Sequence, residues 1–175
     1  MADISTLATP ELHVSNHVTR RAWIAASTCS FLVEEAHRTL PHETGGVLMG
    51  YWSEDQSQVV ITRAIGPGPK AQHDTKSFIP DCTYQIEEIA RHYHNTGRQE
   101  TYLGDWHTHP GRQTPMLGWR DRHTLHRIAT DPNARAPRAL MAILAGPPWK
   151  LRIWRHRRSW VWFGLGANEL TPKLY

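Results

Sequence analysis

Two histidines one residue apart carry the clearest chemical signal in the chain. They lie in GDWHTHPGRQTPMLGWRD, residues 104–121. If 101–108 is a strand, its alternation turns His107 and His109 to one face, close enough to share a cation. A loop-to-helix turn then brings back Asp121 as a third protein ligand. Two imidazoles and one carboxylate suit zinc and leave a fourth position for water. His-x-His alone is a weak signal, because twelve histidines in 175 residues give about one such pair by chance. His92-Tyr93-His94 is a second example, but it falls on a predicted helix, where i and i+2 point about 200° apart. That pair therefore reads as solvated surface. His123 and His126, spaced i, i+3 on the helix after the loop, read as surface or packing residues.

These side chains need a scaffold to bring them together. Residues 21–26 read as a first strand. Ser27 or Thr28 caps a helix with Phe31, Leu32, Ala36 and Leu40 at helical spacing, ended by Pro41. GGVLMGYW (45–52) reads as a buried strand whose glycines allow close packing, and 57–65 alternates and pairs with it as a hairpin. GPGPKAQHD (66–74) is turn-rich, 77–79 reads as a brief strand, and Asp81 caps a helix to about residue 95. That helix shows Ile86, Ile89, Ala90 and Tyr93 on one face and stops at Gly97. After the 101–108 strand and a loop over 110–118, a helix spans about 119–129. Strands over 138–145, 149–155 and 159–165 complete the pattern, with turns at 147–148 and 155–158. The expected fold class is α/β (α+β), a mixed β-sheet flanked by two or three helices. The expected domain is 20–165, between an N-terminal arm (1–19) and a C-terminal tail (166–175).

Composition agrees with one globular domain, at 39% hydrophobic and 21% charged residues. No apolar run approaches the ~20 residues of a membrane span, and the N-terminus lacks the pattern of a secretory signal. Two cysteines, Cys29 and Cys82, are too few for a disulfide framework. They read as buried thiols in a reducing, cytoplasmic compartment. The net charge is +4. Lys150, Arg152, Arg155, Arg157 and Arg158 form a basic strip that alternates with Trp149, Leu151 and Ile153. It therefore reads as the wet face of a strand, not as a nucleic-acid surface. Trp149, Trp154, Trp160 and Trp162 fit strand packing better than base stacking. Trp106, opposite His107 on its strand, reads as core.

ETGGVLMG (43–50) followed by WHTHP (106–110) resembles the JAMM/MPN+ metalloprotease family, or JAB domain. The likeness extends over about residues 20–165 and is most similar to the prokaryotic JAB branch, within which the chain looks like the deconjugating member of bacterial anti-phage operons. The resemblance implies a cytidine-deaminase-like JAB/MPN fold and one Zn2+ held by His107, His109 and Asp121. It also implies that Glu43 is the general acid/base. Implied partners are a ubiquitin-like protein or its conjugates, together with E1- and E2-like proteins. The family serine three residues before the aspartate is Gly118 here, and the loop is one residue longer than usual. Thr114 or a backbone N–H then remains to hold the oxyanion. Trp119 either lines the substrate groove or starts its helix. Three rivals stand beside this reading: a peptidase trimming sulfur-carrier or ubiquitin-like precursors, a metal-free MPN scaffold, and a DNA-repair-type JAB protein using the basic strip.

Overall fold

The computed structural model describes residues 21–159 and 165–175. Among them run β1 (Arg21–Ile24), α1 (Ala26–Arg38), β2 (Gly45–Trp52), β3 (Val59–Ile65), β4 (Gln72–His73), β5 (Phe78–Ile79) and α2 (Cys82–Asn95). β6 (Thr101–Pro110), α3 (Trp119–Thr130), β7 (Leu140–Gly146), β8 (Lys150–Arg157) and β9 (Gly166–Leu174) follow. Seven strands form one mixed sheet in the order β1-β3-β2-β6-β7-β8-β9. It closes on itself because β1 pairs in parallel with both β3 and β9. β6 and β7 are also parallel, and the remaining neighbours are antiparallel. β4 and β5 make a separate small hairpin. The expected fold class, a mixed sheet with flanking helices, is the one observed.

β2, β6 and β7 are mid-sheet strands, and β7 is buried along its whole length. Their alternation divides the apolar residues among three clusters. Leu48, Ile61, Trp106, Leu140 and Leu144 share the main core with Leu32 of α1. Val47, Met49 and Ile65 pack under α2 through Tyr84 and Ile89. Met141, Ile143 and Trp154 pack under α3 through Leu125. Fully burying a Leu, Ile or Met side chain contributes about 1.5–3 kcal/mol, so these clusters fix where each helix lies. Trp106 is fully buried and its indole N–H donates to the Ile65 carbonyl at 3.0 Å.

Glycine has a definite task at the start of β2. A Cβ on Gly46 would collide with the Ile65 carbonyl oxygen, and one on Gly45 with the Phe78 ring and the Trp106 carbonyl. Only a bare backbone lets β2 lie between β3 and β6 with the β4–β5 hairpin folded over it.

Several expected elements need correction. α1 begins at Ala26, so neither Ser27 nor Thr28 caps it, and the Thr28 hydroxyl donates instead to the Thr62 carbonyl at 2.7 Å. The inner face of α2 is not Ile86 and Tyr93, which are exposed. It is Gln85 and Glu88, with Tyr84 and Ile89 half-buried beside them. Gln85 Nε2 donates to the Gly66 carbonyl, and Glu88 pairs with Arg63 and Arg91, so polar partners decide the rotation of the helix. His92 is not solvated surface, since its ring meets Glu100 at 2.6 Å. Part of the 66–74 turn region is β4. Cys82 is exposed, while Cys29 is half-buried with its thiol pKa pushed up by burial. The 155–158 turn is largely strand, because β8 runs to Arg157. Of the strand expected over 159–165, residues 160–164 lie outside the described residues, as do Trp160, Trp162 and the first twenty residues. The segment taken as a C-terminal tail is β9, which pairs with both β8 and β1.

Candidate metal centre and its cleft

His107 and His109 leave the same face of β6 near its C-terminal end, with their Nε2 atoms 3.1 Å apart. Asp121, in the first turn of α3, places Oδ1 3.3 Å from His107 Nε2. The three ligand atoms lie within 4.8 Å of one another. A tetrahedral ion bound at about 2.0–2.1 Å separates its ligand atoms by roughly 3.3–3.4 Å, close to the 3.1 Å and 3.3 Å at which His107 meets His109 and Asp121.

The other carboxylate oxygen of Asp121 is held from behind. The Gly118 N–H donates to Oδ2 at 2.7 Å, at the N-terminus of α3 where an anion is favoured. Burial works against the Asp121 charge, but contact with His107 and the Gly118 N–H holds its carboxyl below the usual range. Burial, followed by the His107 charge, pushes His109 down to about 4, against the pull of Asp121. The ring therefore stays neutral, the state a metal ligand requires.

Glu43 stands on the irregular segment between α1 and β2, so its backbone groups find partners outside that segment. Its N–H donates to the Asp74 carbonyl at 2.7 Å, and His73 Nδ1–H donates to its carbonyl at 2.9 Å. Its neighbour Thr44 is tied to Thr108, the residue between the two histidines. Thr44 N–H donates to Thr108 Oγ1 at 2.9 Å, and Thr108 N–H donates to the Thr44 carbonyl at 2.8 Å. Both threonines are completely buried. Gly45 then faces His107 in the β2–β6 register. Glu43 is thus pinned from two sides next to the histidine pair. Its pKa is raised, chiefly by burial and further by Asp121, against the lowering effect of His107, Arg112 and Arg120.

A cleft of about 580 Å³ contains these groups. Glu43, His107, His109 and Asp121 line it together, as do Gly118 and Trp119. Trp119 starts its helix and also borders the cleft. It stands 59% exposed there, edge-on to His123. Thr114 is exposed and lies outside the cleft lining, so the loop does not bring it to the site. The Gly118 N–H is committed to Asp121. A side chain at this position would start 3.2 Å from Asp121 Oδ2.

Sequence reading missed several residues of the cleft. Ser77 and Thr124 line it with hydroxyls, and Asp105 lies two residues before His107 on the same strand face. The only available signal was spacing, i, i+3 from Asp121 to Thr124 and i, i+2 from Asp105 to His107. Tyr102 donates to Asp105 at 2.6 Å, while burial pushes the Asp105 carboxyl up. His126 does not approach the centre and faces His156 instead, 3.3 Å away.

A closed mixed sheet with two histidines on a mid-sheet strand, an aspartate on the next helix and a glutamate across from them defines a metallohydrolase-like class of domain. The chain belongs to the family described as prokaryotic homologs of the JAB domain, whose profile matches residues 25–162. It is 45% identical over 134 residues to a probable metalloprotease, y4qB, of Sinorhizobium fredii, covering 75% of this chain and 81% of that one. It is also 29% identical over 130 residues to a CD-NTase/cGAS isopeptidase of Enterobacter hormaechei, covering 71% of this chain and 67% of that one. The solution structure of protein DSY2949 from Desulfitobacterium hafniense shares the fold, with a TM-score of 0.64 at 17% identity over 88% of this chain and 92% of that one.

Proposed function

We propose that the chain is a zinc-dependent isopeptidase. Its substrate would be the amide between the C-terminus of a ubiquitin-like protein, or of a similarly conjugated bacterial defence protein, and the target lysine. One observation carries the reading: three ligand atoms converge at single-ion spacing inside the cleft that also contains Glu43. The metalloprotease and isopeptidase names of the two relatives support it.

His107, His109 and Asp121 would hold the ion. When bound, zinc supplies Lewis acidity and makes hydroxide available near neutral pH. Glu43 takes a proton from the attacking water and returns it to the leaving ε-nitrogen. Its raised pKa suits both halves of that task, because the carboxyl holds the proton long enough to deliver it. The Thr44–Thr108 bonds and the His73–Asp74 clamp keep the Glu43 backbone in place while the proton moves. Ser77 or Thr124 offers a hydroxyl to the developing oxyanion, the part played by the family serine where this chain has Gly118. We place the enzyme in the cytoplasm with E1- and E2-like proteins as operon partners. No helix among the described residues is long and apolar enough to cross a membrane.

Glu43→Ala tests the reading. It should retain one zinc per chain and the wild-type fold, and lose cleavage of a ubiquitin-like–lysine conjugate by at least a hundredfold. Wild-type turnover in this variant would refute the assigned base. A metal content unaffected by His109→Ala would refute the ligand set.

A further inference from the structure

Four cationic side chains border the cleft: Lys76, Arg112, Arg120 and Arg127. They come from different elements. Lys76 is on the β4–β5 turn, Arg112 follows β6, and Arg120 and Arg127 are on α3. All four are exposed, and none makes an ion pair or side-chain hydrogen bond among the described residues. Outside the cleft, four arginines pair with carboxylates: Arg38 with Glu35, Arg63 and Arg91 with Glu88, and Arg152 with Glu169.

The carboxylates of the cleft do not neutralise this rim. Asp121 is turned to His107 and the Gly118 N–H, and Asp105 receives the Tyr102 hydroxyl and feels the Arg127 charge without forming an ion pair with it. Glu43 feels Arg112 and Arg120 across the cleft, yet neither reaches it as an ion-pair partner. Positive charge on both banks of a concave site focuses the field on whatever enters, and opposite charge is drawn in.

We infer that the cleft selects a polypeptide segment bearing Asp or Glu within a few residues of the scissile amide, with Lys76, Arg112, Arg120 and Arg127 receiving those carboxylates. This rests on the hydrolytic reading of the same site. A continuous phosphate chain fits less well. Its charge recurs at every unit and would also meet Glu43 in the lining, whereas a peptide carries carboxylates only at chosen positions. Trp119 also stands edge-on to His123 instead of offering a row of stacking faces.

The test uses Glu43→Gln protein for binding and wild-type protein for turnover. The probes are three fluorescent hexapeptides joined through their C-termini to a lysine ε-amine, with Glu/Asp, Gln/Asn or Lys/Arg at the second to fourth residues from the amide. Fluorescence anisotropy in 50 mM NaCl should rank the acidic probe about tenfold tighter than the neutral one and the basic probe weakest. In 500 mM NaCl the gap should shrink to about twofold. Arg112→Glu/Arg120→Glu should lower the acidic-to-neutral affinity ratio by at least fivefold, in protein with an unchanged circular dichroism spectrum.

Equal affinities for the three probes, or a preference insensitive to the double reversal, would overturn the inference. So would tighter binding of a single-stranded oligonucleotide of matched charge. The two failures separate cleanly. Ranked binding without cleavage of any probe sinks the hydrolytic reading and supports charge selection, whereas cleavage without ranking sinks charge selection alone.

Discussion

At the scale of the residue, the site sets two titrations against each other. His109 in the folded chain gives up its proton at about 4, whereas an unperturbed imidazole does so near 6.5. Between those values the unfolded chain holds more protons, so stability contributed by the neutral ring is present above about 6.5 and lost as pH falls through 4. Glu43 has the opposite sign. Its raised pKa means that the folded chain holds the proton more tightly, and stability falls as pH rises through the carboxylate range. The melting temperature of chelator-treated protein should therefore drop on going from pH 6.5 to 4.5, and His109→Gln should remove part of that drop. Identical pH profiles for the two proteins would show that the ring is not held neutral. For activity, if Glu43 is the base as proposed, the acid limb of kcat/KM should report it and lie above the range of an exposed carboxylate.

At the scale of the element, the β4–β5 hairpin acts as a bracket for Glu43, the proposed base. Its two short strands contribute no sheet to the core, yet His73 and Asp74 satisfy both backbone groups of Glu43. The His73 ring also stacks on Phe78, which covers Gly45. A hydrogen bond of this kind contributes about 0.5–1.5 kcal/mol net. His73→Ala should lower kcat by roughly two- to tenfold, with one zinc still bound per chain, KM little changed and melting within a few degrees. His73→Asn, which retains a donor, should recover part of the loss. A change confined to KM would mean that the hairpin only contacts substrate. None of this was legible in the sequence, where GPGPKAQHD advertises turns and nothing more. The histidine pair was legible because strand alternation is a local rule. So was the capping role of Asp81, which accepts the Tyr84 N–H at 3.2 Å. The face of α2 was misread because Gln85 and Glu88 are buried through distant partners, Gly66 and Arg63, and hydrophobic spacing does not register such partners.

At the scale of the whole molecule, closure of the sheet separates the observed fold from the one expected. The sequence reading ends the domain at 165 and takes 166–175 as a tail; GANELTPKL has no apolar run to mark it as a strand. In the structure Leu170 is buried against Ile153 of β8, and β9 supplies the hydrogen-bonding edge on which β1 rests. A strand with one buried leucine and mostly exposed or half-exposed neighbours carries little hydrophobic signal, and its place comes from two partners, β1 and β8, that lie far apart in the chain. Its backbone ladder, not its apolar surface, makes the closure. Removing residues 166–175 would expose the facing edges of β1 and β8 and uncover Ile153, which is fully buried. Leu170→Ala should cost about 2–4 kcal/mol in urea unfolding, with zinc content and the ranking of probes unchanged, because the residue is not part of the cleft lining. Truncation at 165 should cost more than the whole stability of a domain this size, about 5–15 kcal/mol, and leave no cooperative transition. A truncated chain that still melts cooperatively would show that β9 is an appendage and that the sheet is stable while open.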